Sequence, residues 1–182
     1  METTLTQNVY WTQFIYKQWK MYIAATDKGL CFVGSQNQPF EEIADWANAK
    51  LPKHTLVEDA QKLQPYVTEF VEYFEGNRQV FIFPIDAIGT AFQTAVWNAL
   101  NKIPYGKTCS YSDIAEAIQK PKSVRAVGTA IGANPILITV PCHRVIGKNG
   151  KLTGFRGGLE MKRDLLSLEK VDGKFWGEMQ YV

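Results

Sequence analysis

The sequence has few cysteines, few histidines and no long hydrophobic run. Its three cysteines, Cys31, Cys109 and Cys142, are an odd number without CxxC spacing, so no disulfide framework is expected and a reducing compartment fits best. No apolar segment approaches the roughly 20 residues that a membrane helix requires. The N-terminus also lacks the basic start and apolar stretch of a signal peptide. We therefore expect a cytoplasmic protein that has no membrane partner.

The net charge is only +2, but the charges are unevenly distributed. Residues 1–88 contain 7 Lys and Arg against 11 Asp and Glu, whereas residues 89–182 contain 13 against 7. Between residues 102 and 163 there are 11 basic and 3 acidic side chains. A basic half favours a polyanion such as nucleic acid as its partner. A solvated basic surface without a partner explains the charge equally well.

The change of charge coincides with a predicted domain boundary, at 1–88 and 89–182. The first part is predicted to be a small α/β unit with strands at Met21–Ala25 and Leu30–Gly34, joined by a hairpin turn in "TDKG". "VFIFPI" is a further β-rich run. Amphipathic helices are predicted near Glu41–Ala49 and Leu63–Glu75. The aromatic tail "VDGKFWGEMQYV" is expected to pack on the body of the protein.

The second half is predicted to be mostly helical. "FQTAVWNALNKIPYGK" has helical spacing of its apolar residues and ends at Pro-Tyr-Gly. In "SYSDIAEAI", Ser110 and Asp113 are spaced as a capping box. Pro121 is placed as the first residue of the next helix, "PKSVRAVGTAIGA", which stops at "NP". Two short helices with a tight turn between them predict a helix-turn-helix.

The second of these helices has two different faces when projected at about 100° per residue. One face is predicted to be buried and consists of Val124, Ala126, Val127, Ala130 and Ile131. The other is a strip of small and basic residues, namely Pro121, Lys122, Arg125, Gly128, Thr129 and Gly132. Reading of bases in the major groove requires long amide and guanidinium side chains. The strip instead favours close approach to a DNA backbone and minor groove.

Cys142 lies directly before His143, which leaves catalysis, metal binding and simple burial open for the thiol. The motifs around this pair are "RAVGTAIGANP", "PCHRV" and "GFRGGLEMKRDLLSLE". In this order and spacing, from Phe92 to Glu169, the sequence resembles the O6-alkylguanine-DNA alkyltransferases. The first half is similar, more weakly, to the ribonuclease-H-like N-terminal domain of that family.

The resemblance implies a protein that acts once, with Cys142 taking the alkyl group from O6-alkylguanine, and from O4-alkylthymine, in DNA. Such a nucleophile is expected to be a thiolate near neutral pH. His143 would act as its base through a bridging water, and Glu169 would orient the imidazole. Asn134 would hold the active-site loop, and Tyr111 would donate a proton to N3 of the departing guanine.

The resemblance also implies duplex DNA as the partner, bound by a monomer through the minor groove with the damaged nucleotide flipped out. Arg125 would fill the gap left by the flipped base. The main-chain carbonyls of Cys142 and Val145 and the N–H of Arg156 would recognise the guanine. Further DNA-binding positions are expected at Ser123, Gly128, Thr129 and Arg144.

No metal and no cofactor are predicted. Some members of the family carry zinc in the N-terminal domain, but here that half offers only Cys31 and His54, and two ligands cannot form a closed tetrahedral site. Two other classes stay open as alternatives. A non-enzymatic alkyltransferase-like protein would lack the thiol, and a helix-turn-helix regulator would require a face able to read sequence. Cys142 and the small-residue strip argue against both.

Overall fold

The structure, a computed structural model, describes residues 5–171. The chain divides into two units, residues 1–88 and 89–182. The first unit contains a sheet with helices and the second is mostly helical, which confirms the predicted α/β class. Most of the aromatic tail, from residue 172, lies outside the described residues.

The first unit is built on a four-stranded sheet. Its strands are β1 (Gln7–Tyr16), β2 (Trp19–Thr26), β3 (Gly29–Val33) and β4 (His54–Glu58), in the order β3-β2-β1-β4. The pairs β1/β2 and β2/β3 are antiparallel, and β4 joins β1 in parallel. The predicted hairpin is confirmed as β2 and β3. Sequence patterns did not indicate β1 and β4.

Two helices complete the first unit. They are α1 (Glu41–Lys50) and α2 (Ala60–Phe74), which confirms both predicted helices to within a few residues. The side chain of Asp59 caps α2 by accepting a hydrogen bond from the N–H of Lys62. Ile43 and Ala47 of α1 pack with Val9, Ala24 and Phe32 of the sheet. Burial of this apolar surface stabilises the unit.

The β-rich run "VFIFPI" does not form a strand within the sheet, contrary to the sequence pattern. Ile85 makes only an isolated bridge with Leu30. The N–H groups of Ile82 and Phe83 instead donate to the carboxylate of Glu69, at 3.0 and 3.1 Å. Because a buried side chain satisfies these donors, the segment needs no neighbouring strand.

The second unit contains α3 (Ala91–Leu100), α4 (Tyr111–Ala117), α5 (Val124–Gly132) and α6 (Leu159–Leu168). Thr90 with Gln93 and Ser110 with Asp113 form complete capping boxes at α3 and α4. The second of these was predicted. Helices α4 and α5 pack together as the expected helix-turn-helix. Trp97 ties α3 to α5 by donating its Nε1–H to the carbonyl of Ala130 at 2.9 Å.

Pro121 is not the first residue of α5, as the sequence suggested. Residues 121 and 122 form the turn between the helices, and α5 begins at Val124 with Ser123 as its N-cap. The backbone N–H of Ser123 donates to the carbonyl of Lys120 at 2.9 Å, closing that turn. Residues 121 and 122, which were predicted to begin the helix, therefore belong to the turn before it.

A largely buried loop leads from α5 to a one-turn 3-10 helix, Cys142–Arg144. The chain then forms β6 (Val145–Ile146), which pairs in parallel with β5 (Cys109–Ser110). Ile138 in this loop has a φ of 70°, which is uncommon for a β-branched residue and is held by complete burial. None of the helices within residues 5–171 is long and apolar enough to cross a membrane.

Candidate active site

The thiol of Cys142 is buried beside Asn134. Cys142 is 3% exposed and Asn134 is fully buried. The side-chain amide of Asn134 donates to Sγ of Cys142 at 3.2 Å and to the carbonyl of Val140 at 2.9 Å. Its Oδ1 accepts from the N–H of Ile136 at 2.9 Å. Asn134 therefore connects both ends of the loop to the sulfur.

Burial raises the pKa of the Cys142 thiol above its ordinary value. The hydrogen bond from Asn134 and the positive charges of Lys162 and Arg156 oppose this effect without reversing it. Burial thus favours a resting thiol in the free protein, whereas the sequence predicts a resting thiolate. A sulfur that is a thiol at rest needs a base that removes its proton during the reaction.

His143 and Glu169 form a buried pair. Nε2 of His143 lies 3.0 Å from Oε1 of Glu169, and both side chains are inaccessible to solvent. Burial opposes the charge of Glu169, but the hydrogen bonds from His143 and Arg144 outweigh it and lower the pKa of this carboxyl to about 2. Burial lowers the pKa of His143, and the bond to Glu169 only partly offsets this.

The protonation of the imidazole follows from these partners. An ionised Glu169 can only accept, so Nε2 of the neutral His143 carries the proton. Nδ1 then carries a free lone pair and has no hydrogen-bond partner within residues 5–171. A buried neutral imidazole with a free basic nitrogen, one residue from a thiol, has the features of a general base.

Arg144 is not a surface residue, in contrast to its predicted role in DNA binding. Its guanidinium donates to both carboxylate oxygens of Glu169, at 2.7 and 3.0 Å, and to the carbonyl of Ile103 at 2.7 Å. The residue is only 7% exposed. A guanidinium with these buried partners cannot reach a phosphate, so Arg144 instead holds the charge of Glu169.

Tyr111, the first residue of α4, contacts two different elements. Its phenol oxygen lies 2.7 Å from Oγ1 of Thr153. Its ring covers Gly128 of α5, where an added Cβ would lie 3.7 Å from the ring. Burial raises the pKa of the Tyr111 phenol, and the hydrogen bond with Thr153 lowers it in part. The phenol stays protonated near neutral pH and is able to donate.

Lys162 is a functional candidate that the sequence reading missed. It lies on α6 and is fully buried, with Nζ donating to the main-chain carbonyl of Thr153 at 3.1 Å. Burial lowers its pKa to about 8, which the nearby Cys142 partly opposes. The available signal was its spacing, since Lys162 falls in the same stripe as the buried residues Leu165 and Leu166.

The strip on α5 is largely exposed, as its composition suggested. Arg125 and Thr129 are exposed, and the hydroxyl of Thr129 donates to the carbonyl of Arg125 at 3.2 Å. An added Cβ at Gly132 would meet nothing within 4 Å. Ala126, predicted to be buried, is exposed because it faces away from Val127 and Ile131. Ser123 at the N-cap is half-buried.

Val145 and Arg156 are the remaining positions predicted to recognise the guanine. Val145 is fully buried in β6 and pairs with Cys109. The guanidinium of Arg156 donates to the carbonyls of Asn134 and Pro135, at 3.2 Å each. Arg156 thus holds the turn that carries Asn134, a side-chain contact that the predicted main-chain role did not include.

The other two cysteines lack the partners of Cys142. Burial raises the pKa of Cys31 to about 12 and that of the half-buried Cys109 to about 11. Among residues 5–171, neither side chain has a histidine next to it in sequence, as Cys142 has in His143. No group of three or more His, Cys, Asp or Glu side chains is arranged as a metal site in the part of the chain that the structure describes.

Comparison with protein families matches both units. Residues 91–171 match the DNA-binding domain of 6-O-methylguanine DNA methyltransferase, and residues 9–87 match its ribonuclease-like domain. The chain belongs to the 6-O-methylguanine DNA methyltransferase family. The predicted resemblance is thereby confirmed, and the first unit carries the family's N-terminal domain.

Individual relatives agree with this assignment to the methyltransferase family. The inducible methylated-DNA–protein-cysteine methyltransferase of Bacillus subtilis is 61% identical over 93% of this chain and 94% of its own length. The constitutive enzyme of the same organism is 45% identical over 74% and 81%. The O6-methylguanine methyltransferase of Mycobacterium tuberculosis superimposes with a TM-score of 0.77 at 36% identity, covering 94% and 99% of the two chains. That organism's protein has also been solved in complex with DNA, with a TM-score of 0.77.

Proposed function

We propose that this protein repairs alkylated DNA directly, by moving the alkyl group of O6-alkylguanine onto Cys142 in a single turnover. O4-alkylthymine is a second substrate of the same chemistry. The observation that carries the proposal is the buried Cys142 thiol, hydrogen-bonded by Asn134 and followed in sequence by the His143–Glu169 pair. The membership of the chain in the methyltransferase family supports it.

The thiolate nucleophile forms during the reaction, by deprotonation of the Cys142 thiol. The lone pair on Nδ1 of His143 takes the proton of Cys142 through a bridging water, and Glu169 and Arg144 stabilise the imidazolium that forms. Displacement at the alkyl carbon requires a soft nucleophile, which a thiolate is and a hydroxyl is not. Lys162 and Arg156 add positive charge near the sulfur, which favours the anion.

The leaving group needs a proton, because guanine otherwise departs as an anion. Tyr111 supplies it to N3 from its protonated phenol. The carbonyls of Cys142 and Val145 and the main-chain N–H of Arg156 recognise the base. The product is a thioether, and no nucleophile in the described site can remove its alkyl group, so each molecule acts once.

DNA is bound by the exposed strip of α5. Arg125 enters the base stack when the damaged nucleotide is flipped out, and Ser123, Gly128 and Thr129 approach the minor-groove side. The solved structure of the Mycobacterium tuberculosis relative in complex with DNA supports DNA as the partner. We also infer that the protein acts as a monomer in the cytoplasm, where free cysteines such as Cys142 stay reduced.

Intact mass measurement tests the proposal. The full chain is mixed with a duplex that carries one O6-methylguanine, and a gain equal to one methylene group, mapped to Cys142, is expected. Cys142→Ser is expected to bind the same duplex but to gain no mass, while Cys109→Ser is the matched control and reacts normally. Binding without any adduct on the wild-type chain would indicate a damage-binding protein and overturn the proposal.

A further inference from the structure

Thr153 makes a close contact with the group that the proposed function uses as its proton donor. Its Oγ1 lies 2.7 Å from the phenol oxygen of Tyr111, although 42 residues separate them in sequence. The ring of Tyr111 lies over Gly128, which leaves the oxygen end to be fixed by Thr153. A phenol that is to protonate a base needs a defined direction, since proton transfer depends on alignment of the two atoms.

Thr153 is itself held by contacts with Lys162 and Gly147. Nζ of the fully buried Lys162 donates to its main-chain carbonyl at 3.1 Å. Its methyl group lies close to Gly147, where an added Cβ would be 3.6 Å away. The preceding turn is closed by the hydrogen bond from the N–H of Gly147 to the carbonyl of Lys151 at 2.8 Å. The hydroxyl is therefore presented to Tyr111 by a fixed backbone.

A hydroxyl in this position can do more than pack. It is able either to accept from the phenol or to donate to it. Before the reaction, accepting from the phenol orients the Tyr111 side chain. Once the phenol has lost its proton, a hydroxyl that turns to donate stabilises the phenolate, because hydrogen bonds to an ion are stronger than those to a neutral group.

We propose that Thr153 is a positioning residue for alkyl transfer, whose hydroxyl aligns the Tyr111 phenol and stabilises the phenolate that forms when guanine departs. In this step the bond between sulfur and the alkyl carbon forms as the bond from that carbon to O6 breaks. The phenol proton moves to N3 of guanine, and the Cys142 proton moves to His143. Solvent then returns a proton to Tyr111 and takes one from His143, so Thr153 gains and loses none. The proposal rests on the assignment of Tyr111 as proton donor.

Thr153→Val tests this role, because valine has nearly the same shape and lacks the hydroxyl. Single-turnover transfer from a duplex with O6-methylguanine is expected to slow about tenfold, the usual size of one lost hydrogen bond in a transition state. Thr153→Ser keeps the hydroxyl and is expected to restore the rate to within about twofold of wild type. Affinity for the duplex, measured by fluorescence anisotropy in the Cys142→Ser background, is expected to stay unchanged.

A double-mutant cycle separates this role from simple packing of the loop. If Thr153 acts through Tyr111, then Thr153→Val should add no further loss to Tyr111→Phe. Equal losses from Thr153→Val in both backgrounds, or a serine variant as slow as the valine variant, would overturn the proposal. So would a Tyr111→Phe variant at the wild-type rate, although an adduct on Cys142 would still support the proposed function. Absence of any adduct on the wild-type chain would instead contradict the proposed function itself.

Discussion

Within residues 5–171, each unit buries one glutamate with positively charged or N–H partners, but the two partner sets differ. Glu69 in the first unit is 7% exposed, accepts from the N–H groups of Ile82 and Phe83, and forms a salt bridge with Arg78 at 2.9 Å. Glu169 in the second unit is 2% exposed and accepts from His143 and Arg144. Both arrangements compensate the cost of burying a carboxylate.

The difference lies in what the partners can do next. The N–H groups beside Glu69 keep their protons at any ordinary pH, so that carboxylate fixes the path of the chain. The imidazole beside Glu169 can change protonation, and its second nitrogen has no hydrogen-bond partner within residues 5–171. A buried carboxylate with hydrogen-bond donors around it is therefore structural in the first unit, whereas in the second unit it supports proton transfer.

The largest expected effect comes from removing the charge of each glutamate in turn. Glu169→Gln should slow transfer by about 10²–10⁴-fold, the range for loss of general base catalysis. Glu69→Gln is the matched control and should leave the transfer rate of the folded protein unchanged. Glu169→Gln should lower the free energy of unfolding by about 3–5 kcal/mol, because it leaves the buried Arg144 without its counter-ion. Glu69→Gln should lower it by less, because Arg78 keeps its ion pair with Glu72. Single-turnover kinetics and urea unfolding measure the two quantities. Similar losses of transfer in both variants would erase the distinction between the units.

Acid sharpens the same comparison through stability. The folded pKa of Glu169 is about 2, below its ordinary value of 4.5, so its contribution is complete above about pH 4.5 and is lost as the pH falls toward 2. The difference in unfolding free energy between wild type and Glu169→Gln should therefore shrink by about 1.4 kcal/mol for each unit below pH 4.5. Urea unfolding between about pH 6 and pH 3 checks this. A difference that stays constant would mean that the carboxylate gains nothing from its partners.

Alkylation should disturb the second unit first. Cys142 is 3% exposed and its sulfur touches Asn134, so an added methyl group overfills the site and weakens that hydrogen bond. We expect a loss of about 1–3 kcal/mol and a melting temperature lower by several degrees. Thermal melts of unmodified and fully methylated protein give the shift. Proteolysis should begin in residues 124–145 rather than in the first unit, and an unchanged melt would show that the pocket already fits the product.

The smallest expected effect distinguishes Arg125 from Arg144, two of the four arginines in the second unit. Arg125 is exposed on α5, whereas Arg144 is buried against Glu169. Arg125→Ala should slow repair of a duplex about tenfold but leave reaction with free O6-benzylguanine unchanged, because only the duplex requires base flipping. Arg125→Lys, which keeps the charge, measures how much of the loss is electrostatic. Equal losses on both substrates would contradict the role of Arg125 in the base stack.

The sequence by itself determined the features that depend on neighbouring residues. The hairpin at "TDKG", the capping box of Ser110 and Asp113, and the periodicity of α1 to α3 all come from hydrogen bonds and spacings within a few residues. Interactions between near neighbours along the chain suffice to specify these features. The roles of Cys142 and His143 instead come from the resemblance to the alkyltransferase family, because the pair alone leaves metal binding and burial open.

Tertiary structure alone decided which charged groups are buried and what they contact. It buried the guanidinium of Arg144 and the ammonium group of Lys162, which donates to the carbonyl of Thr153. It also placed the hydroxyl of Thr153 beside the phenol of Tyr111. In "VFIFPI", it directed a backbone N–H to Glu69 rather than to a neighbouring strand. The fold likewise raises the pKa of the Cys142 thiol, because that pKa depends on desolvation by distant segments of the chain. Burial and dielectric surroundings are properties of the folded chain, and residue spacing does not encode them directly.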